Sequence, residues 1–136
     1  MTKDCIFCKI VKGEIPSCKI YEDSDTLAFL DIAPVNPGHT LVIPKEHFEN
    51  LYTLPDETLA GLILTAKKIA QAIKKGIGAD GVNIGMNNEK SGGQVIFHAH
   101  LHIIPRIEGD GLKLWPQKSY KEGEAESVAE KIKESL

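Results

Sequence analysis

The sequence predicts a single α+β domain built on an antiparallel sheet. Three observations carry that prediction. Short strand candidates follow one another in pairs rather than alternating regularly with helices, one long amphipathic helix occupies the middle of the chain, and a weaker helix closes it. At 136 residues the chain suits one domain, spanning 1–136, and is too short for a second core of similar size.

The first strand candidates, 26–31 and 40–44, are short and bounded by Asp, Asn, Pro or Gly. After Pro55 the residues Leu59, Leu62, Ile63, Ala66, Ile69, Ala70 and Ile73 recur at three- and four-residue steps, the signature of a helix with one buried face, and Gly76 offers a stop. Two more strand candidates follow at 81–87 and 96–104. The polar stretch 108–124 reads as a loop leading to a helix at 124–136, whose narrow apolar stripe of Ala125, Val128, Ala129 and Ile132 suits packing at an edge.

Composition narrows the function. With 42% hydrophobic and 26% charged residues the chain reads as soluble and globular, and no apolar run approaches the roughly 20 residues of a membrane span. A net charge of -3 argues against gripping a nucleic-acid backbone, although a single nucleotide needs only a few local amides and a histidine. The segment Met1-Thr2-Lys3-Asp4-Cys5 carries no export signal, so a cytoplasmic location is expected. Three cysteines suit a reducing compartment. Cys5 and Cys8 form a close pair that fits redox chemistry, metal binding or simple burial, whereas Cys18 lacks a partner and is expected to be a buried free thiol.

His98, His100 and His102 alternate with Ala99, Leu101 and Ile103. On a strand the histidines would share one face, roughly 6.6 Å apart, while the apolar residues enter the core. That spacing suits flanking one phosphate. A zinc hydrolase with a His-x-His strand is a rival reading, but the barrel that commonly carries it needs about 250 residues.

The segment His98-Ala-His100-Leu-His102-Ile-Ile resembles the signature of the histidine triad (HIT) family. The resemblance extends over Asp31-Ile32-Ala33-Pro34, the run from Pro37 to His47, and Asn87 with Gly92-Gly93-Gln94, so it covers nearly all of Cys5 to Arg106. It implies a HIT-like fold of about five antiparallel strands with one long central helix and a C-terminal helix, and a homodimer. It also implies a hydrolase or transferase acting at the α-phosphate of a purine nucleotide conjugate. His100 would be the nucleophile, forming a nucleotidyl-histidine that water cleaves; His102 and His39 would border the phosphate, with His39 helping to orient the nucleophile. The Gly92-Gly93-Gln94 backbone would approach phosphate oxygens, Asp31 would bind the ribose, and Phe7, Ile10, Phe29 and Ile32 would sandwich the base. Asn87 would touch the phosphate or leaving group. Val95 stands where phosphoramidase-like members carry a serine, which removes a hydroxyl but leaves a backbone amide for the phosphate. The same resemblance pairs Cys5 and Cys8 with His47 and His98 as a structural zinc site. A diadenosine polyphosphate hydrolase, suggested by Ile103-Ile104-Pro105-Arg106, and a nucleotide sensor with little turnover are the alternatives.

Overall fold

The computed structural model describes residues 4–136. Five strands, β1 (Lys19–Glu22), β2 (Thr26–Leu30), β3 (Thr40–Pro44), β4 (Gly81–Gly85) and β5 (Leu101–Arg106), form one antiparallel sheet in the order β1-β2-β3-β5-β4. Three helices accompany it: α1 (Ile6–Val11), the long α2 (Asp56–Ile77) and α3 (Glu124–Glu134).

Alternation along the strands sorts the core into two layers. Ala28, Val42, Leu101 and Ile103 face α2, meeting Leu62, Ala66, Ile69 and Ile73 from its inner stripe. Leu27, Phe29, Leu41 and Ile43 face the opposite way and are covered by Phe7 and Ile10 of α1. Leu41 pairs with His102 across β3 and β5, so this second face continues outward into histidines. The histidine-bearing face is therefore the one that α2 leaves uncovered.

Several boundaries differ from the sequence reading. Helix α2 runs past Gly76 and stops at Gly78, which takes the left-handed conformation at φ 75°; a mid-helix glycine costs only about 1 kcal/mol, whereas a left-handed cap strongly favours one. The candidates 26–31 and 81–87 end at Leu30 and Gly85, and β1 and α1 were not anticipated. The candidate strand 96–104 is displaced to Leu101–Arg106. Its first residues are drawn away because Ala99 N–H donates to Phe48 O at 2.7 Å. At its far end Pro105 fits, because β3 pairs with β5 only through Ile103 and the missing N–H faces no ladder partner there. Cys18 is exposed, not buried: it precedes the edge strand β1, beyond which no further strand packs among the described residues. Helix α3 buries none of its residues, and Ile132 on its stripe is exposed.

Candidate functional site

The three alternating histidines keep their common side but not a common strand. Only His102 lies in β5, while His98 and His100 occupy the irregular segment before it. His100 and His102 approach to 4.9 Å between ring centroids, nearer than the roughly 6.6 Å rise between alternate strand residues. Ala99, Leu101 and Ile103 enter the α2 core as expected.

Backbone partners fix the proton on each ring. His98 O can only accept, so His100 Nδ1, 2.7 Å away, must donate to it, leaving Nε2 with a free lone pair. Pro44 O likewise takes the hydrogen of His98 Nε2 at 2.8 Å, leaving His98 Nδ1 bare. His39 has the opposite constraint. Val35 N–H donates to its Nδ1 at 3.0 Å, so the hydrogen resides on Nε2 and is donated to His102 Nδ1 at 2.9 Å. His102 in turn presents an Nε2–H. The result is a bare nucleophilic nitrogen on His100 beside an N–H donor on His102.

Burial keeps these rings neutral. It lowers His39 and His100 below the usual histidine value, and it takes His102 down to about 4, with the neighbouring His100 and His39 adding to the effect. Asp31 opposes this on all three rings. Its Oδ1 accepts from Ala33 N–H at 2.9 Å, and its Oδ2 lies 3.7 Å from His39 Nε2.

The loop before the triad carries a surprise. Gly92 N–H and Gln94 N–H both donate to Glu89 O, and Gly93 N–H donates to Lys90 O, so these three amides are spent inside the loop. Val95 N–H has no partner among the described residues, and Val95 is 81% exposed. Gln94 is buried, its side chain bonded within the protein. Asn87 packs under Gly93, where an added Cβ would sit 3.5 Å from Asn87 Nδ2. Glu89 adopts φ 64°, ψ 164°, a region nearly reserved for glycine that costs about 1–3 kcal/mol.

Of the expected base contacts, Phe7, Ile10 and Phe29 lie in the core under this face, with the Phe7 ring edge-on to His100 at 5.1 Å. Ile32 stands apart, 97% exposed on the loop after β2. Sequence reasoning missed a cavity of about 740 Å³ that runs from His39, His102, Asn87 and Gly93 along β4 and β5 to Leu112, Leu114 and Trp115. Those apolar residues within an otherwise polar loop were the available signal.

A second cluster lies behind the triad. Cys8 Sγ is 3.4 Å from His47 Nδ1 and 3.6 Å from His98 Nδ1, Cys5 Sγ is 3.4 Å from His98 Nδ1, and the two Nδ1 atoms are 3.2 Å apart. A tetrahedron with metal–sulfur bonds of about 2.3 Å and metal–nitrogen bonds of about 2.0 Å has edges of roughly 3.3–3.8 Å. The cluster therefore has the size of a closed Cys2His2 metal site, and His98 already offers the required bare Nδ1. Asp31, His39 and His102 also gather closely enough to share an ion. There, however, the His39 nitrogen facing the group carries the hydrogen that bridges to His102.

The HIT domain family model matches residues 12–109. A protein from Streptococcus mutans of known crystal structure is 46% identical, with a TM-score of 0.93 over 99% of this chain and 87% of that one. The adenosine 5'-monophosphoramidase hnt1 of Schizosaccharomyces pombe is 42% identical over 97% of this chain and 98% of its own length. A zinc-bound histidine triad family protein from Mycobacterium smegmatis is 40% identical, covering 98% of both chains with a TM-score of 0.78.

Proposed function

Because the chain belongs to the histidine triad (HIT) family, we propose that it is a nucleotide-binding hydrolase or transferase that acts at the α-phosphate of a purine nucleotide conjugate through a nucleotidyl-His100 intermediate. The observation that carries this reading is the 2.7 Å bond from His100 Nδ1 to His98 O, which leaves Nε2 bare beside the His102 ring. A phosphoramidate is the favoured conjugate, in keeping with the name of the fission yeast relative.

In the first step His100 Nε2 attacks the α-phosphorus, a P–N bond forms, and the bond to the leaving group breaks. His102 Nε2–H donates to a phosphoryl or leaving-group oxygen or nitrogen as charge develops there, while His39 holds His102 in the required tautomer. Val95 N–H and the Asn87 amide supply further donors, so the loop contributes one open amide where the sequence suggested several. In the second step water attacks phosphorus, the P–N bond breaks, and the mononucleotide leaves with His100 restored. Asp31 binds the ribose hydroxyls, and the base lies between Ile32 and the rims of Phe7, Ile10 and Phe29.

Cys5, Cys8, His47 and His98 hold zinc in this proposal, supported by the cluster's dimensions and by the zinc-bound relative. Four protein ligands close the site, so the ion supplies a structural tie rather than an activated water. The thiol ligands fit a reducing, cytoplasmic setting. Among the described residues no helix is long and apolar enough to cross a membrane. A homodimer accords with the open edge of β4, where Ile84 is exposed, and with Ile63 and Leu64, exposed on α2; sedimentation tests it.

The deciding experiment is a single-turnover assay with an α-phosphate-labelled adenosine phosphoramidate. Mononucleotide is released through a trapped histidine adduct, and His100→Ala removes both, with a rate loss of about 1000-fold or more. An adduct that persists in His100→Ala overturns the assignment. Nucleotide binding without release by the unaltered protein replaces it with a sensor role.

A further inference from the structure

Gln94 was expected to meet the nucleotide, yet it is 4% exposed and its amide is engaged three times within the protein. Its Oε1 accepts from Glu89 N–H at 2.8 Å. Its Nε2 donates to Glu49 O at 2.7 Å and to Ile96 O at 3.1 Å. These three partners belong to three different pieces of the site. Glu89 opens the glycine loop, Glu49 lies two residues beyond His47, and Ile96 lies two residues before His98.

The Glu89 bond falls on the most strained residue of the loop. A side chain bearing Cβ at φ 64° and ψ 164° persists only when its surroundings over-determine it, and Gln94 holds the N–H of that very residue. With Glu89 so fixed, its carbonyl collects the amides of Gly92 and Gln94, the turn closes, and Val95 N–H is the next amide along, left without a partner among the described residues. The loop thus folds its own donors inward and leaves one unengaged among the described residues, at the end of a turn whose Gly92 and Gly93 line the cavity with Asn87 and His102.

We propose that Gln94 is a positioning residue, which sets the Val95 amide and the glycine loop against the phosphate by tying the loop to the segments bearing His47 and His98. It does so without touching the nucleotide. This rests on the nucleotidyl-transfer reading given above, and it assigns Gln94 to the phosphate half of the site only. The base and ribose contacts of that reading lie on α1, β2 and the loop after it, to none of which the Gln94 side chain hydrogen-bonds. Its loss therefore separates two quantities that a direct nucleotide contact would move together: the rate at which His100 is nucleotidylated, and the affinity for a nucleoside with no phosphate.

The test compares the wild-type protein with Gln94→Ala and Gln94→Glu. The glutamate variant keeps the volume and the acceptor for Glu89 N–H but removes both donors, so it carries the comparison if Gln94→Ala does not fold. Single-turnover adduct formation at saturating adenosine phosphoramidate falls about 10- to 100-fold, the range for a misplaced donor. Adenosine affinity changes less than about twofold. In Gln94→Ala, amide exchange of Glu89 also accelerates. Adduct formation within about twofold of wild type, despite an exchange-labile Glu89 amide, overturns the inference. So does a loss of adenosine affinity that parallels the loss of rate, because Gln94 would then act on the nucleotide or on the fold at large. A wild-type protein that binds adenosine yet forms no adduct removes the underlying reading, and the inference with it.

Discussion

His98 and His102 lie four residues apart on one side of the same sheet, yet their rings are set for opposite tasks. His98 gives the hydrogen of Nε2 to Pro44 O and keeps Nδ1 bare, facing two thiols and His47. His102 accepts on Nδ1 from His39 and shows an N–H outward. Burial alone does not distinguish them, since it pushes both down to about 4. The difference lies in the partner. A carbonyl forces the ring to donate and frees the other nitrogen, whereas a ring held by a backbone N–H passes a hydrogen along. His100, between the two, follows the carbonyl rule and becomes the nucleophile in the proposed mechanism. In the proposed function one residue type thus yields a ligand, a nucleophile and a donor through neighbouring backbone groups.

The comparison breaks most visibly on the closed side. Cys8→Ser should destabilise the protein by at least about 2 kcal/mol, lowering Tm by roughly 5–10 °C, because it removes a buried sulfur ligand and weakens the proposed metal tie between α1 and the triad segment. Calorimetry of the metal-loaded protein checks this, and a chelator should reproduce the loss in the wild type while leaving the variant little changed. An equal Tm with and without chelator would show that the cluster is only a set of packed side chains.

On the open side the effect should fall on rate rather than stability. His102→Ala removes the outward N–H and should lower kcat about 100-fold, whereas His39→Ala removes only the group that fixes its tautomer and should cost about tenfold. The order of the two matters more than either value. A larger loss for His39→Ala would place the phosphate donor on His39 and reverse the direction drawn from Val35 N–H.

These two sides were not equally legible in the sequence. The alternation of His98, His100 and His102 with small and branched apolar residues correctly predicted that Ala99, Leu101 and Ile103 enter the core, because the two-residue period persists even where the ladder hydrogen bonds do not. The step of α2 was legible for a similar reason: its apolar residues repeat over about four turns, from Leu59 to Ile73. What escaped was set by distant partners. Nothing near residue 96 signals that Phe48 O will take Ala99 N–H, and nothing near Gln94 signals that Glu89, Glu49 and Ile96 will converge on its amide. Cys18 was misread because an isolated thiol says little about which strand forms a sheet edge. The tautomers, which decide the chemistry, depend entirely on such long-range contacts.

The smallest expected effect is a pH dependence of stability that belongs to the open side. In the folded chain His102 is lowered from 6.5 to about 4, chiefly by burial, and His39 is lowered by the same cause. Between those values the unfolded chain binds protons that the folded chain refuses, so unfolding takes up protons and stability falls as pH drops from about 6.5 toward 4. Below the folded value of His102 its contribution levels off. The geometry gives the same sign independently: a further proton on the pair must displace either the Val35 bond to His39 or the His39 bond to His102. Urea unfolding of the metal-loaded protein at a series of pH values measures the slope, with His98 excluded because the proposed metal would hold its Nδ1. His102→Gln should make the slope shallower by up to one proton, and His47→Gln should not reproduce that change. A slope indifferent to His102→Gln would mean that the ring titrates as freely in the folded protein as in the unfolded chain. The neutral donor assigned to it would then give way to an imidazolium already below about pH 6.5.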